Sequence, residues 1–298
     1  MPFALLRYGL RRRHPARRDI PSRPDLKPSY DIVVIGGGGH GLATAYYLAY
    51  DWGIRRVAVV EKGYLAGGNT ARNTTIIRAN YVSPQSVRFY AESMALYRTL
   101  SEELDFNILY SQRGQLTFAH TDAELRTCRL RAEVNRHCGV DSELIGPDEI
   151  RRVCPVVDPA LPRGAPILGA LYHLPGAIAR HDAVAWAYAA AAARLGVELH
   201  PQTEVTGLVV ENGRIGAVET TRGRIACGAV VQAVAGASSR LAAMAGLRLP
   251  IRTVPLQACV STPLKPFLHP VLSSNRLHLY VSQSARGELV IGGANDGA

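Results

Sequence analysis

Between Tyr30 and Lys62 an apolar strand pattern, a run of glycines, a helical pattern and a second strand pattern ending in a carboxylate follow one another without interruption. Tyr30-Asp31-Ile32-Val33-Val34-Ile35 is almost continuously apolar and β-branched, which suits a parallel strand covered on both faces. Gly36, Gly38 and Gly41 then occupy the fixed positions of a G-x-G-x-x-G run, with Gly37 and Gly39 adding room beside them. The three positions meet separate steric demands: a tight turn after the strand, close approach of the backbone to a pyrophosphate, and close packing of the next helix on the sheet. Leu42, Ala45, Tyr46, Leu48 and Ala49 fall at helical spacing. They predict a helix from about His40 to Tyr50 whose first amides point at the phosphates. The second strand, Val57-Ala58-Val59-Val60, ends at Glu61, 20 residues beyond Gly41. A carboxylate there can accept hydrogen bonds from both ribose hydroxyls and repels the 2′-phosphate of NADP. Together these features predict a dinucleotide-binding βαβ unit.

The loop that follows, Gly67 to Tyr81, collects glycines, amides, hydroxyls and the two fixed cations Arg72 and Arg78. Such a loop suits a second pass over a large dinucleotide.

With 298 residues and 47% hydrophobic content, the chain can build one large or two ordinary domains. No apolar run reaches the ~18 residues needed to span a bilayer, and the alanine-rich run Ala183 to Ala193 reads as a packed helix. Cys128, Cys138, Cys154, Cys227 and Cys259 are odd in number and lack C-x-x-C spacing, which argues against a disulfide framework or a structural zinc site. A reducing, cytoplasmic location is expected. The histidines form no metal-spaced cluster. Of the net charge of +10, the first 28 residues hold +6, from eight Arg and Lys against two Asp, which leaves +4 elsewhere. Pro15, Pro21, Pro24 and Pro28 break this basic arm up, so it reads as a solvated or partner-docking segment. No recognition module or aromatic-basic platform follows it, which argues against nucleic acid.

Further along, helices are predicted near Ser86 to Leu104, from Asp122 to His137, and from Pro147 after Gly146. Glu211-Asn212-Gly213-Arg214 signals a type I′ hairpin between Val205–Val210 and Ile215–Thr220. Ala229 to Ala235 reads as another buried strand, after which Gly236 to Ser239 turns into a helix. Strands near Thr253 to Val260, Leu277 to Ser282 and Glu288 to Ile291 complete the pattern. The expected class is α/β. An FAD-binding Rossmann-like domain (29–85 and 165–250) is joined to a substrate domain with a mixed or antiparallel sheet (86–164 and 251–298), after the basic arm (1–28).

Several runs carry a specific resemblance. They are I-G-G-G-G-H-G-L-A-T-A-Y-Y-L-A, G-G-N-x-x-R-N-T-T-I-I-R-x-N-Y, S-Q-R-G at Ser111 to Gly114 and A-R-H-D-A-V-A-W at Ala179 to Trp186. P-L-Q-A at Pro255 to Ala258, His269-Pro270 and Y-V-S-Q at Tyr280 to Gln283 join them. Together they resemble the beta subunits of heterotetrameric sarcosine oxidases, within the wider FAD-dependent amine and D-amino-acid oxidoreductases, from about Lys27 to Asp296. The resemblance implies non-covalent FAD held by Gly36, Gly38, Gly39, His40, Gly41, Glu61, Asn69, Arg72, Thr74 and Ile76, with the Val205 backbone at the adenine end. It implies that His181 carries a covalent FMN; read alone, His181-Asp182 before an alanine helix is an N-terminal capping region. Arg78, a permanent cation in an I-I-R context, is implied to hold a substrate carboxylate. His278 is implied to lie near the flavin, binding the carboxylate or tuning the amine's protonation. The expected activity is oxidation of sarcosine, a small secondary amine, to glycine and a one-carbon product, with electrons passing from FAD to FMN to oxygen. The expected partners are the alpha, gamma and delta subunits.

Family members continue beyond the Gly292 to Asp296 region with a glycine-rich segment and a lysine near the isoalloxazine, so a chain truncated relative to the family is expected. Two other readings stand beside this one: a related flavin amine or amino-acid dehydrogenase with another acceptor, and a non-catalytic flavin-binding or assembly subunit.

Overall fold

The computed structural model describes Leu10, residues 24–161 and residues 163–293. Most of the basic arm and the last five residues therefore lie outside the described residues. In chain order the strands are β1 (Ser29–Ile35), β2 (Val57–Val60), β3 (Ile76–Ile77), β4 (Ser111–Gln112), β5 (Gln115–Ala119), β6 (Ser142–Ile145), β7 (Gly169–His173) and β8 (Ala177–Ile178). They continue as β9 (Glu198–His200), β10 (Val205–Glu211), β11 (Arg214–Thr220), β12 (Gly223–Gln232), β13 (Gln257–Val260), β14 (Val271–Ser274), β15 (Leu279–Gln283) and β16 (Leu289–Gly293). The α-helices are α1 (Gly39–Tyr50), α2 (Pro84–Glu103), α3 (Asp122–His137), α4 (Pro147–Val153), α5 (His181–Arg194) and α6 (Ser238–Ala243).

The β-branched run before Gly36 becomes β1, inside a six-stranded sheet of order β10-β11-β12-β1-β2-β9. It pairs in parallel with both β12 and β2, and β2 pairs in parallel with β9. Parallel neighbours need crossover connections, and α1 supplies the one between β1 and β2. On one face α1 and α5 pack together: Leu42, Ala45, Tyr46 and Ala49 meet Ala185, Ala189 and Ala192 over Val57, Val59 and Leu199. Small side chains along α5 let the two helices approach closely, and each large aliphatic chain buried there contributes about 1.5–3 kcal/mol. The opposite face is covered by Val218, Ile225 and Leu241 against Tyr30, Val33, Ile35 and Val60. At the β10–β11 turn both Asn212 (φ 52°) and Gly213 (φ 73°) take the left-handed conformation that a type I′ turn requires.

The second sheet has seven strands in the order β13-β16-β15-β14-β5-β7-β6. It is mixed, because β14 runs parallel to β5 while the other pairs are antiparallel. Cys128 and Ala132 of α3 pack on Ala119 and Leu171, and Ile150 of α4 packs on Leu116, Phe118 and Ile145. The start of α3 is fixed by Thr121, whose hydroxyl accepts the Glu124 N–H at 3.2 Å. β3, β8 and β4 form a small third sheet.

Three expectations change. The strand expected to be buried over Ala229 to Ala235 is β12, which starts at Gly223 and leaves Ala226, Gly228, Ala229 and Gln232 exposed. Ala226, Ala229 and Gln232 pair with Ser29, Ile32 and Ile35 of β1, so this half of β12 joins the sheet through its backbone while these side chains stay uncovered. The strand expected from Leu277 starts at Leu279, because residues 275–278 form a turn that puts His278 at φ 45°. The strand expected from Thr253 begins only at Gln257. In addition, β7 pairs with β5 and β6, so the start of the expected 165–250 segment belongs to the second sheet.

Candidate active site

The turn between β1 and α1 is set by backbone crowding. Gly36 sits at φ 111°, where an L side chain is strained. A Cβ there would also overlap the carbonyl oxygen of Ala233, just beyond β12. α1 begins with no side-chain cap and no acid in its first turn, so its positive end is not neutralised from within. At this end of β1, β2 and β12 lies a cavity of about 340 Å³ lined by Gly36, Gly38, Gly39, His40, Glu61, Asn69, Thr70, Val205 and Arg240, among others. Glu61 is held by both oxygens: Oε2 accepts the Gly37 N–H and Oε1 the Gly63 N–H, each at 2.9 Å. Thr70 Oγ1 accepts the Gly39 N–H at 2.9 Å, tying the following loop to the glycine turn. Arg240 of α6 reaches Glu204 at 3.7 Å beside the same cavity.

A second cavity, about 490 Å³, is lined by Arg72, Arg180, His181, Arg286 and Glu288 and by the apolar Leu256, Val260 and Val290, among others. His181 is the first residue of α5. Its Nε2 lies 3.0 Å from the Ala71 carbonyl, while Nδ1 is buried with no partner. Arg180 grips Asp182 through two hydrogen bonds of 2.6 and 2.7 Å, and these hold the Asp182 carboxyl below its ordinary range. Arg72 donates to the carbonyls of Gly67 and Gly68.

The structure therefore gathers Gly36, Gly38, Gly39, His40, Glu61, Asn69 and Val205 around the first cavity and Arg72 and His181 around the second. Gly41 is buried beneath the glycine turn. Thr74, Ile76, Arg78 and His278 line neither cavity. Ile76 pairs with Ile178. Arg78 donates to Asn80 Oδ1 at 2.8 Å and lies 4.3 Å over the Tyr81 ring. His278 is exposed on the β14–β15 turn. Among the described residues no group of three His, Cys, Asp or Glu is placed to hold a metal, and no helix is long and apolar enough to cross a membrane.

Residues 31–298 match the sequence family described as FAD dependent oxidoreductase. The chain belongs to the FAD-dependent oxidoreductase family. It is 48% identical to sarcosine oxidase subunit beta of Rhodobacter capsulatus over 99% of this chain and 71% of that protein. It is 49% identical to the subunit of the same name from an Arthrobacter species, over 92% of this chain and 68% of that one. Among solved structures, L-proline dehydrogenase from P. horikoshii superposes with a TM-score of 0.81 at 30% identity, over 90% of this chain and 71% of that one.

For an FAD-dependent oxidoreductase the first cavity is chemically apt. Glycine backbone without Cβ atoms, a helix start with no acid in its first turn and a pre-oriented carboxylate match a pyrophosphate and a ribose in turn. The residues present thus fit the adenosine diphosphate half of FAD. Glu61→Gln keeps the shape but replaces one accepting oxygen by a donor, setting it against a backbone N–H. Retention of FAD is expected to weaken about tenfold, the effect of losing one charge-assisted hydrogen bond. Titration of the apoprotein with FAD checks this, and unchanged affinity would remove Glu61 from the site.

Sequence reasoning missed Thr70 and the end of β12. Thr70 stood inside a loop already rich in hydrogen-bonding groups, and its hydroxyl among them was the available signal. Ala233, Val234 and Gly236 carried none, since they reach the cavity only through the parallel pairing of β12 with β1.

Proposed function

We propose that the chain carries out the FAD-dependent oxidation of sarcosine to glycine and a one-carbon product, as the beta subunit of a heterotetrameric sarcosine oxidase with alpha, gamma and delta partners in the cytoplasm. The observation that carries this reading is the near-full-length similarity to two sarcosine oxidase beta subunits. When bound, FAD supplies a two-electron acceptor for the hydride equivalent leaving the N-methyl carbon. The rest falls to the chain. The glycine turn, Glu61 and the Val205 backbone fix the cofactor, and Asn69, Thr74 and Ile76 belong to the loop that completes its site. Arg78 takes the substrate carboxylate in a charge-assisted pair. His278, on its turn, is the second group assigned to the carboxylate or to the amine's protonation. His181 would carry FMN, which would supply the path by which electrons reach oxygen and give hydrogen peroxide. An imidazole with one unsatisfied nitrogen, beside a cavity bearing three arginines, supports a site for a second, phosphate-bearing flavin.

Adding sarcosine anaerobically to the purified, FAD-loaded chain is expected to bleach its visible flavin band. A band that persists would sink the claim that this chain alone oxidises the amine, and leave a flavin-binding subunit. The likeness to L-proline dehydrogenase favours a second reading, with a cyclic secondary amine and an acceptor other than oxygen. Bleaching by L-proline and not by sarcosine would select it.

A further inference from the structure

Arg78, just beyond β3, and Arg131, on α3, converge on one residue, Asn80. Arg78 Nη1 donates to Asn80 Oδ1 at 2.8 Å, and Arg131 Nη2 donates to the Asn80 carbonyl. Asn80 is 0% exposed, yet its Nδ2 has no acceptor, and neither has the buried Nε of Arg131. Flipping the amide would not help, because its NH₂ would then face the Arg78 N–H groups. Among the described residues neither guanidinium has a carboxylate within ion-pair distance. Two like charges and two orphaned donors therefore meet with a deficit of acceptors. A buried unpaired polar group is costly, and so is an uncompensated charge. A water molecule can accept the hydrogen bonds but leaves the charge in place; a carboxylate, with about four lone-pair sites and one negative charge, answers both.

We propose that Arg131 is the second cation of the carboxylate site to which Arg78 belongs, and that Asn80 is the positioning residue that orients both guanidiniums. This rests on the reading of Arg78 as the substrate's carboxylate ligand and adds to it a residue from helix α3.

The test uses acetate as the probe, titrated calorimetrically into the full chain at an ionic strength held constant with chloride. Saturable binding is expected for the unaltered chain. Arg131→Gln and Arg78→Gln should each weaken it about tenfold or more, the usual effect of losing a hydrogen bond to a charged group. Arg131→Lys, which keeps the charge and loses the fork, should fall between and carries the test if Arg131→Gln does not fold. Asn80→Asp should raise the unfolding temperature, because its own carboxylate answers the two cations, and should abolish acetate binding for the same reason. Acetate binding that survives Arg131→Gln or Arg131→Lys at full strength but is lost in Arg78→Gln overturns the proposal and leaves the reading of Arg78 intact. Binding insensitive to Arg78→Gln overturns that reading and the proposal with it, as does the absence of saturable binding in the unaltered chain.

Discussion

Gly41→Ala is expected to yield protein without bound FAD and with a sharply lowered unfolding temperature, although alanine is the better helix former by ~1 kcal/mol. A Cβ at position 41 would overlap the Gly36 carbonyl oxygen and lie 3.3 Å from the Ala233 side chain. Neither neighbour is a flexible tip. Gly36 cannot move aside, because its own Cβ position is closed by the Ala233 carbonyl and its φ of 111° is already the special conformation of the turn. The start of α1 must therefore lift from the sheet. That loosens the contact of Leu42, Ala45 and Tyr46 with the core and withdraws the helix amides from the cavity. Overpacking where nothing can relax costs about 3 kcal/mol or more, which exceeds the propensity gain. Gly39→Ala is the control: its Cβ would meet Thr70 Oγ1 at 3.6 Å, an ordinary contact. Its unfolding temperature should match or slightly exceed that of the unaltered chain, whatever happens to FAD. Gly41→Ala protein with full flavin content and an unchanged unfolding temperature would refute the packing argument.

The glycine turn was legible in the sequence because each of its residue types answers a demand made within a few residues of itself. The same holds for the Asn212-Gly213 turn and for Thr121 at the head of α3, where conformation or capping is a local matter. Long-range pairing left weaker marks. β14 joins β5 across more than a hundred and fifty residues, and β12 completes the nucleotide sheet while half exposed, so its composition resembled that of a buried strand without its environment. The second cavity shows the same limit. Leu256, Val260 and Val290 are unremarkable apolar residues until β13 and β16 pair and bring them toward His181. Arg78 could be read as a free cation because nothing near it in sequence announces Arg131 as a neighbour. Where the resemblance supplied a role, as for His278, the exposed turn it occupies could not be inferred from a motif of four residues.

His173 is expected to make the fold sensitive to mild acid. It is 0% exposed on β7, where Nε2 accepts the Ala79 N–H at 3.2 Å and Nδ1 lies 3.0 Å from the Ser142 hydroxyl. Since Nε2 accepts, the single ring proton belongs on Nδ1 and is donated to Ser142, which in turn donates to Asn135 Oδ1 at 3.1 Å. Every partner suits the neutral ring. A second proton would set Nε2–H against the Ala79 N–H and add a charge beside Arg78 and Arg131. Burial above all pushes the His173 pKa down to about 4; a backbone hydrogen bond at Asp141 opposes it, and Arg78 and then Arg131 add smaller downward contributions. The unfolded chain takes up this proton near pH 6.5 and the folded chain only near pH 4. Stability from this residue is thus complete above about pH 6.5 and is lost progressively as the pH falls toward 4, by about 3 kcal/mol in all. The carboxylates held below their ordinary range, Asp182, Glu198 and Glu288, lose their contributions at lower pH, so the window from 6.5 to 5 lies above them. His173→Gln can still accept the Ala79 N–H but does not titrate. It should be less stable than the unaltered chain at pH 7.5, by about 1–3 kcal/mol for an imperfect buried replacement, and the two should converge toward pH 5. Urea midpoints measured across that window decide the matter: a His173→Gln profile as steep as the unaltered one would place the acid sensitivity on another residue.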